Sequence, residues 1–132
     1  MIGPIGFDNV EVMRVGVNGS GGANTLFIVC GVALVEFNGN QDDWRRDDLT
    51  FLVPDEGGGT LNVGAFQDSV TVAFPATVEN TDDTPVGWGV DTVDTIVEGN
   101  NVRLTARVVV RQKGGHFLRM GFQVNILGTS RQ

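Results

Sequence analysis

The chain has 132 residues, sixteen acids against nine Lys and Arg for a net charge of −7, and 41% apolar residues. That length suits one domain, 1–132, able to bury about two thirds of its unfolded surface and so to hold a core without metals or disulfides. The composition excludes a disordered chain, the single cysteine excludes an intrachain disulfide, and the acidity makes the domain a poor general binder of nucleic acid.

The N-terminal "MIGPIGFDNV" has no basic region and no sustained apolar core, so no signal peptide is expected, and the compartment is left open. In "NVEVMRVGVN", the alternation starts with Val10 and Val12 on one face and shifts by one residue to Val15 and Val17, which predicts a strand with a bulge at Met13–Arg14. The glycines of "NGSGGANT" read as a loop. No Gly-Lys-Ser/Thr follows them, so this is not a phosphate loop, and Asn18-Gly19-Ser20 is formally a glycosylation sequon. "TLFIVCGVALVEF" is apolar on both parities, which predicts a strand covered on both faces, with Cys30 a buried thiol beside Ile28 and Val32. Its apolar run, Leu26 to Val35, is ten residues, about half of what a membrane helix needs.

Only "NQDDWRRDDL" looks helical, with Asn40 as cap and Asp42 and Arg46 four residues apart. Its Asn38, Asn40 and Asp42 start a calcium-loop pattern, but Asp43 stands where Gly is required and Leu49 where Glu is required. "DLTFLV" and "GTLNVGAF" read as short strands about a "PDEGGG" turn, and "SVTVAFPATVE" as a half-buried strand whose Pro75 marks an edge. "GWGVDTVDTIVE" is a further strand. A Gly99–Asn100 turn should then pair Val97 with Val102, Ile96 with Arg103 and Thr92 with Arg107, and should set Trp88 opposite Arg111.

The segment from Asn101 to Ile126 alternates throughout. Val102, Leu104, Ala106, Val108 and Val110 share one face, and Leu118, Met120, Phe122, Val124 and Ile126 continue the pattern. A three-residue loop, Lys113–Gly114–Gly115, would match Val110 with Leu118 and Ala106 with Phe122, which predicts a hairpin with arginines on its outer face. Charge is segregated along the chain: residues 1–98 hold all sixteen acids and three bases, net −13, and residues 99–132 hold six bases and no acid, net +6. Either the acidic strands neutralise the hairpin within the fold, or part of it meets another surface, for which an acidic second copy is the natural partner.

Eight strands with almost no helix predict an all-β fold, an antiparallel β-sandwich of jelly-roll or Greek-key topology, with a closed barrel as second choice. The functional expectation is a non-enzymatic structural module that self-assembles, of the small virion, tail or filament kind. Arg103, Arg107, Val109, Arg111, Phe117 and Arg119 form its expected interface, since apolar residues among arginines are typical of contact surfaces. One His, three Ser and no Tyr leave few nucleophiles and bases, and His116 and Cys30 are each alone in the chain. No cofactor and no membrane partner are expected. The alternative is a carbohydrate-binding module stacking sugars on Trp44 or Trp88, with Asp42, Asp43, Asp82 and Asp83 as the weak candidates for a calcium ion.

Overall fold

The computed structural model describes residues 2–19, 22–64, 66–72 and 87–129, which form strands, turns and loops but no helix. Among the described residues there are five strands: β1 (Gly6–Gly19), β2 (Gly22–Leu52), β3 (Phe66–Val72), β4 (Gly87–Glu98) and β5 (Asn101–Gly128). The pairings between these strands are antiparallel, in the order β1-β2-β5-β3, with β4 also on β5.

The organising element is a ribbon of β2 and β5, paired from Thr25–Gly128 to Leu52–Arg103. Fully extended, a strand of 31 residues would span about 100 Å at 3.3 Å per residue, whereas a compact chain of this length has a radius of gyration of about 14 Å. The ribbon therefore doubles back. In its middle the register slips between Gln41 and Arg45, and Gly39 faces Gly114. A bulge and a pair of residues without side chains are the features that let a ribbon bend.

Doubling back makes two antiparallel sheets. One holds β1, the first half of β2, the second half of β5, and β3. The other holds the second half of β2, the first half of β5, and β4. Even-numbered residues of β5 point inward in both, from Val102 to Val110 and again from Met120 to Ile126, and meet Phe27, Val29, Ala33, Val35, Leu49 and Phe51 of β2. The described residues form no closed barrel.

Residues 53–64 close one end of the core, burying Val53, Leu61 and Val63. Val53 N donates to Val102 O at 2.8 Å, Val63 N to Asn100 O at 2.8 Å and Thr129 N to Val63 O at 3.1 Å, so the segment joins both ends of β5. It also reaches β1, where Glu56 accepts from Val12 N at 2.8 Å and Asp55 from Arg14 Nη2 at 3.2 Å. At the other end of the chain, Ile2 N donates to Asp48 O and Ile5 N to Leu34 O, so the N-terminal residues cross from one sheet to the other.

Several expectations are corrected here. The hairpin at Lys113–Gly115 does not form: β5 runs through it, with Lys113, Gly114 and Gly115 facing Asn40, Gly39 and Asn38. Val110 and Leu118 have the same parity whether a three-residue loop or an unbroken strand separates them, so alternation could not distinguish the two. The helix predicted over 40–49 is strand, because pairing with β5 outweighs a local preference that rested on a cap and charge spacing without an apolar stripe. These two mergers, with the joining of Phe66 to the SVTV segment in β3, give five strands among the described residues where the alternation suggested eight. "GTLNVGAF" is strand only from Phe66 onward, and the bulge in β1 lies between Asp8 and Glu11, with Asn9 at φ 54°, instead of at Met13–Arg14. The Gly99–Asn100 turn pairs Val97 with Val102, Ile96 with Arg103 and Thr92 with Arg107 as expected, but a bulge between Val90 and Thr92 sets Trp88 opposite Val110. Pro75 lies outside the described residues.

Candidate functional site

The outer face of the β2–β5–β4 sheet carries most of the arginines that the sequence singles out, and they are matched within the chain. Arg107 and Asp48 are direct register partners, with Nε 3.2 Å from Oδ1. Arg103 pairs with Glu98 and donates Nη1 to Thr50 Oγ1 at 3.1 Å. Arg46 Nε lies 3.3 Å from Asp91 Oδ2. Val109 is half-buried on this side and Arg111 is exposed. Arg119 lies twelve positions beyond Arg107 in β5, on the outer side of the other sheet, where Asp8 of β1 accepts from its Nη2 at 2.5 Å. Of the six residues expected to make one interface, the five with described side chains are thus divided between the outer faces of the two sheets. The side chain of Phe117 lies outside the described residues. The acids and bases that the sequence segregates are interleaved by the pairing of β2 with β5.

On the outer face of the β1–β2–β5 sheet, the β1 and β2 strands are mainly apolar, with Glu11 opposite Cys30, whereas β5 contributes Arg119, Gln123 and Asn125. Beyond the bulge, odd-numbered residues of β1 point outward, and Met13, Val15 and Val17 are exposed, Met13 by 60%. Their register partners on β2 are Ile28, Leu26 and Asn24. Leu26, Ile28, Val32 and Leu34 are half-exposed and do not belong to the core. The cover predicted for both faces of this strand is therefore present on one only, among the described residues. Cys30, expected as a buried thiol, is exposed on the uncovered face. The apolar double parity of "TLFIVCGVALVEF" was the signal for this face, read as core on both sides.

A shallow hollow of about 310 Å³ interrupts the face, lined by Asn9, Cys30, Val32, Gly121 and Gln123 with Gly31 and Phe122 beneath. It exists because Gly121, opposite Val32, has no side chain, and because the bulge at Asn9 carries β1 away from β2. Gly31 is the counterpart on the inner side: a Cβ there would lie 2.9 Å from the Phe122 ring, so the glycine admits that ring into the core.

Trp44, in the middle bulge of β2, is 57% exposed. The side chains of Trp88, Asp42 and Asp43, and Asp82 and Asp83 altogether, lie outside the described residues, among which no group of three or more His, Cys, Asp or Glu could hold a metal. His116 pairs with Phe37 within the ribbon, not at the mouth of a turn. Comparisons with protein-family models, with curated proteins and with solved structures find no match for this chain.

Proposed function

We propose that the chain is a non-enzymatic structural module that assembles with copies of itself, of the kind that builds a small virion, tail or filament. One observation carries the reading: the apolar outer face of β1 and β2, running from Met13 and Val15 across to Ile28 and Val32. A contiguous apolar patch on a soluble domain marks a contact surface. The arginine face contributes less than the sequence suggested, because exposed ion pairs are worth about 0–1 kcal/mol and its charges already have partners in the chain. For the whole chain we propose a jelly-roll or Greek-key sandwich of about eight strands. In its support, counting β2 and β5 once in each sheet gives seven strand segments in the described residues.

Light scattering over a range of protein concentrations, at about 0.05 and 0.5 M salt, tests the reading. Association through an apolar face persists or strengthens at the higher salt. A monodisperse monomer under every condition overturns it.

The second reading, a carbohydrate-binding module, is favoured by the exposure of Trp44. Stacking of a sugar would change the Trp fluorescence on titration with oligosaccharides, and Trp44→Ala would remove the change.

A further inference from the structure

We infer that a second copy of this chain pairs edge to edge with β1 about a two-fold axis at Gly16, adding its own β1 antiparallel as the next strand of the sheet. The inference rests on the self-assembly reading and specifies its contact.

The chemistry of the edge selects a strand as partner. Among the described residues β1 ends its sheet and contacts no strand but β2. Val12 N donates to Glu56, away from β2, so strand alternation points the amides and carbonyls of Arg14, Gly16 and Asn18 outward along the same edge. An extended backbone matches such a row group for group. Sheet edges are ordinarily guarded by bulges, charges or prolines. One half of β1 is guarded, since the bulge at Asn9 distorts it and the Glu56 carboxylate occupies the Val12 amide. On the other sheet β4, paired only with β5 among the described strands, has a bulge between Val90 and Thr92 and acids at Asp91, Asp94 and Glu98. From Met13 to Gly19 there is no bulge, proline, lysine or acid, and the one charge, Arg14, is turned onto Asp55 and the Phe27 ring.

Register and charge select a second copy. The open stretch runs from Met13 to Gly19 and centres on Gly16. A copy laid antiparallel on it sets Gly16 against Gly16, Arg14 against Asn18 and Val15 against Val17, with about six backbone hydrogen bonds, and the contact is isologous and closed. Val15 and Val17 fall at the non-hydrogen-bonded positions, where facing side chains come closest, so apolar meets apolar there. Gly16 has nothing within 4 Å of its Cβ position, so the approach at the axis is open. A net charge of −7 on each copy disfavours contact between acidic surfaces, whereas this stretch holds no acid. Glu11 lies five positions from the axis, so the two Glu11 side chains stand about 33 Å apart along the joined strands. Joining the edges also sets the exposed Met13, Val15 and Val17 of both copies side by side, which makes the two apolar faces continuous.

Sedimentation velocity on the full chain, combined with cross-linking, tests the contact. Proline is tolerated on an edge strand where the amide it replaces faces solvent. Gly16→Pro should therefore keep the far-ultraviolet dichroism of the β fold, yet it removes the central amide of both copies and should weaken dimerisation roughly tenfold or more. Gly16→Ala retains that amide and should dimerise as the unsubstituted chain does. Residues facing each other across a hydrogen-bonded antiparallel pair have Cα atoms about 5.5 Å apart, within reach of a disulfide. In a Cys30→Ser background, Gly16→Cys should oxidise to a linked dimer on a non-reducing gel, whereas Val17→Cys, which faces position 15 of the other copy, should stay monomeric. If the unsubstituted chain never associates, this inference and the self-assembly reading both fall. If it associates but folded Gly16→Pro has the same affinity, the reading stands and this contact is wrong. Should Gly16→Pro fail to fold, the cysteine variants decide: linkage at position 16 alone supports the contact, and linkage at neither position, at both alike, or at 17 alone overturns it.

Discussion

The rings of Phe51 and Phe122 lie 5.1 Å apart, although in the ribbon Phe51 pairs with Leu104 and Phe122 with Gly31. The contact is therefore made between the two sheets, after the ribbon has doubled back, and Phe7 of β1 sets its ring against both at 5.1 and 6.1 Å. Removing either ring leaves a cavity that the close-packed sheets cannot fill. Phe51→Ala and Phe122→Ala should each cost about 3–5 kcal/mol in denaturant unfolding. The double variant should show a coupling of about 0.5–1.5 kcal/mol. Strict additivity would mean that the rings do not share one core.

Gly128 illustrates packing against backbone, which has no rotamer to give. A Cβ on Gly128 would stand 2.2 Å from Val63 O, the carbonyl that accepts from Thr129 N. Gly128→Ala must displace the 53–64 segment from the end of β5, at a cost of about 1–3 kcal/mol. Gly16 in β1 has nothing within 4 Å of its Cβ position, so Gly16→Ala should be neutral or slightly stabilising. Thermal unfolding of the two variants side by side measures the contrast, and equal shifts would refute the assigned clash.

What the sequence disclosed follows from what a period-2 pattern can encode. It marks which side chains face inward, and Val102 to Val110 and Met120 to Ile126 are core as the alternation requires. It also located β4 and its turn, because Gly99 at φ 61° is a position where glycine is favoured. Alternation carries no information about whether a strand ends, so neither the passage of β5 through Lys113–Gly115 nor that of β2 through Trp44 was legible. Nor does apolar double parity say what covers the second face. Leu26, Ile28 and Val32 look like core in the sequence, yet they lie on an outer surface because the described strands supply only two sheets. The candidate site was visible as a set of residues and misread as interior.

The arginines give a sharper test of which face matters. Arg107→Glu with Arg119→Glu sets new acids against Asp48 and Asp8. Both pairs are well exposed, so each reversal should cost no more than about 1 kcal/mol of stability. Self-association through the Met13 face should survive the double variant. Its loss, measured by sedimentation on folded protein, would return the interface to the arginines of β5.

Backbone pairing in the middle of the ribbon decides how those arginines are arranged. In the structure Asn38 faces Gly115 and Asn40 faces Lys113, so nuclear Overhauser contacts between these pairs are expected in an isotope-labelled sample. A hairpin closing at Lys113–Gly115 would replace them with contacts between Val110 and Leu118, and between Ala106 and Phe122, which the unbroken strand holds apart. The two outcomes have different surfaces. The hairpin would place Arg107 and Arg119 on one basic sheet face, without Asp48 between the strands. The continuous ribbon puts Asp48 beside Arg107 and carries Arg119 to the opposite side, beside Asp8. Observation of the Asn38–Gly115 contact therefore supports neutralisation of the basic segment by the acidic one through strand pairing itself. It would leave the exposed apolar residues of β1 and β2 as the surface on which copies can meet.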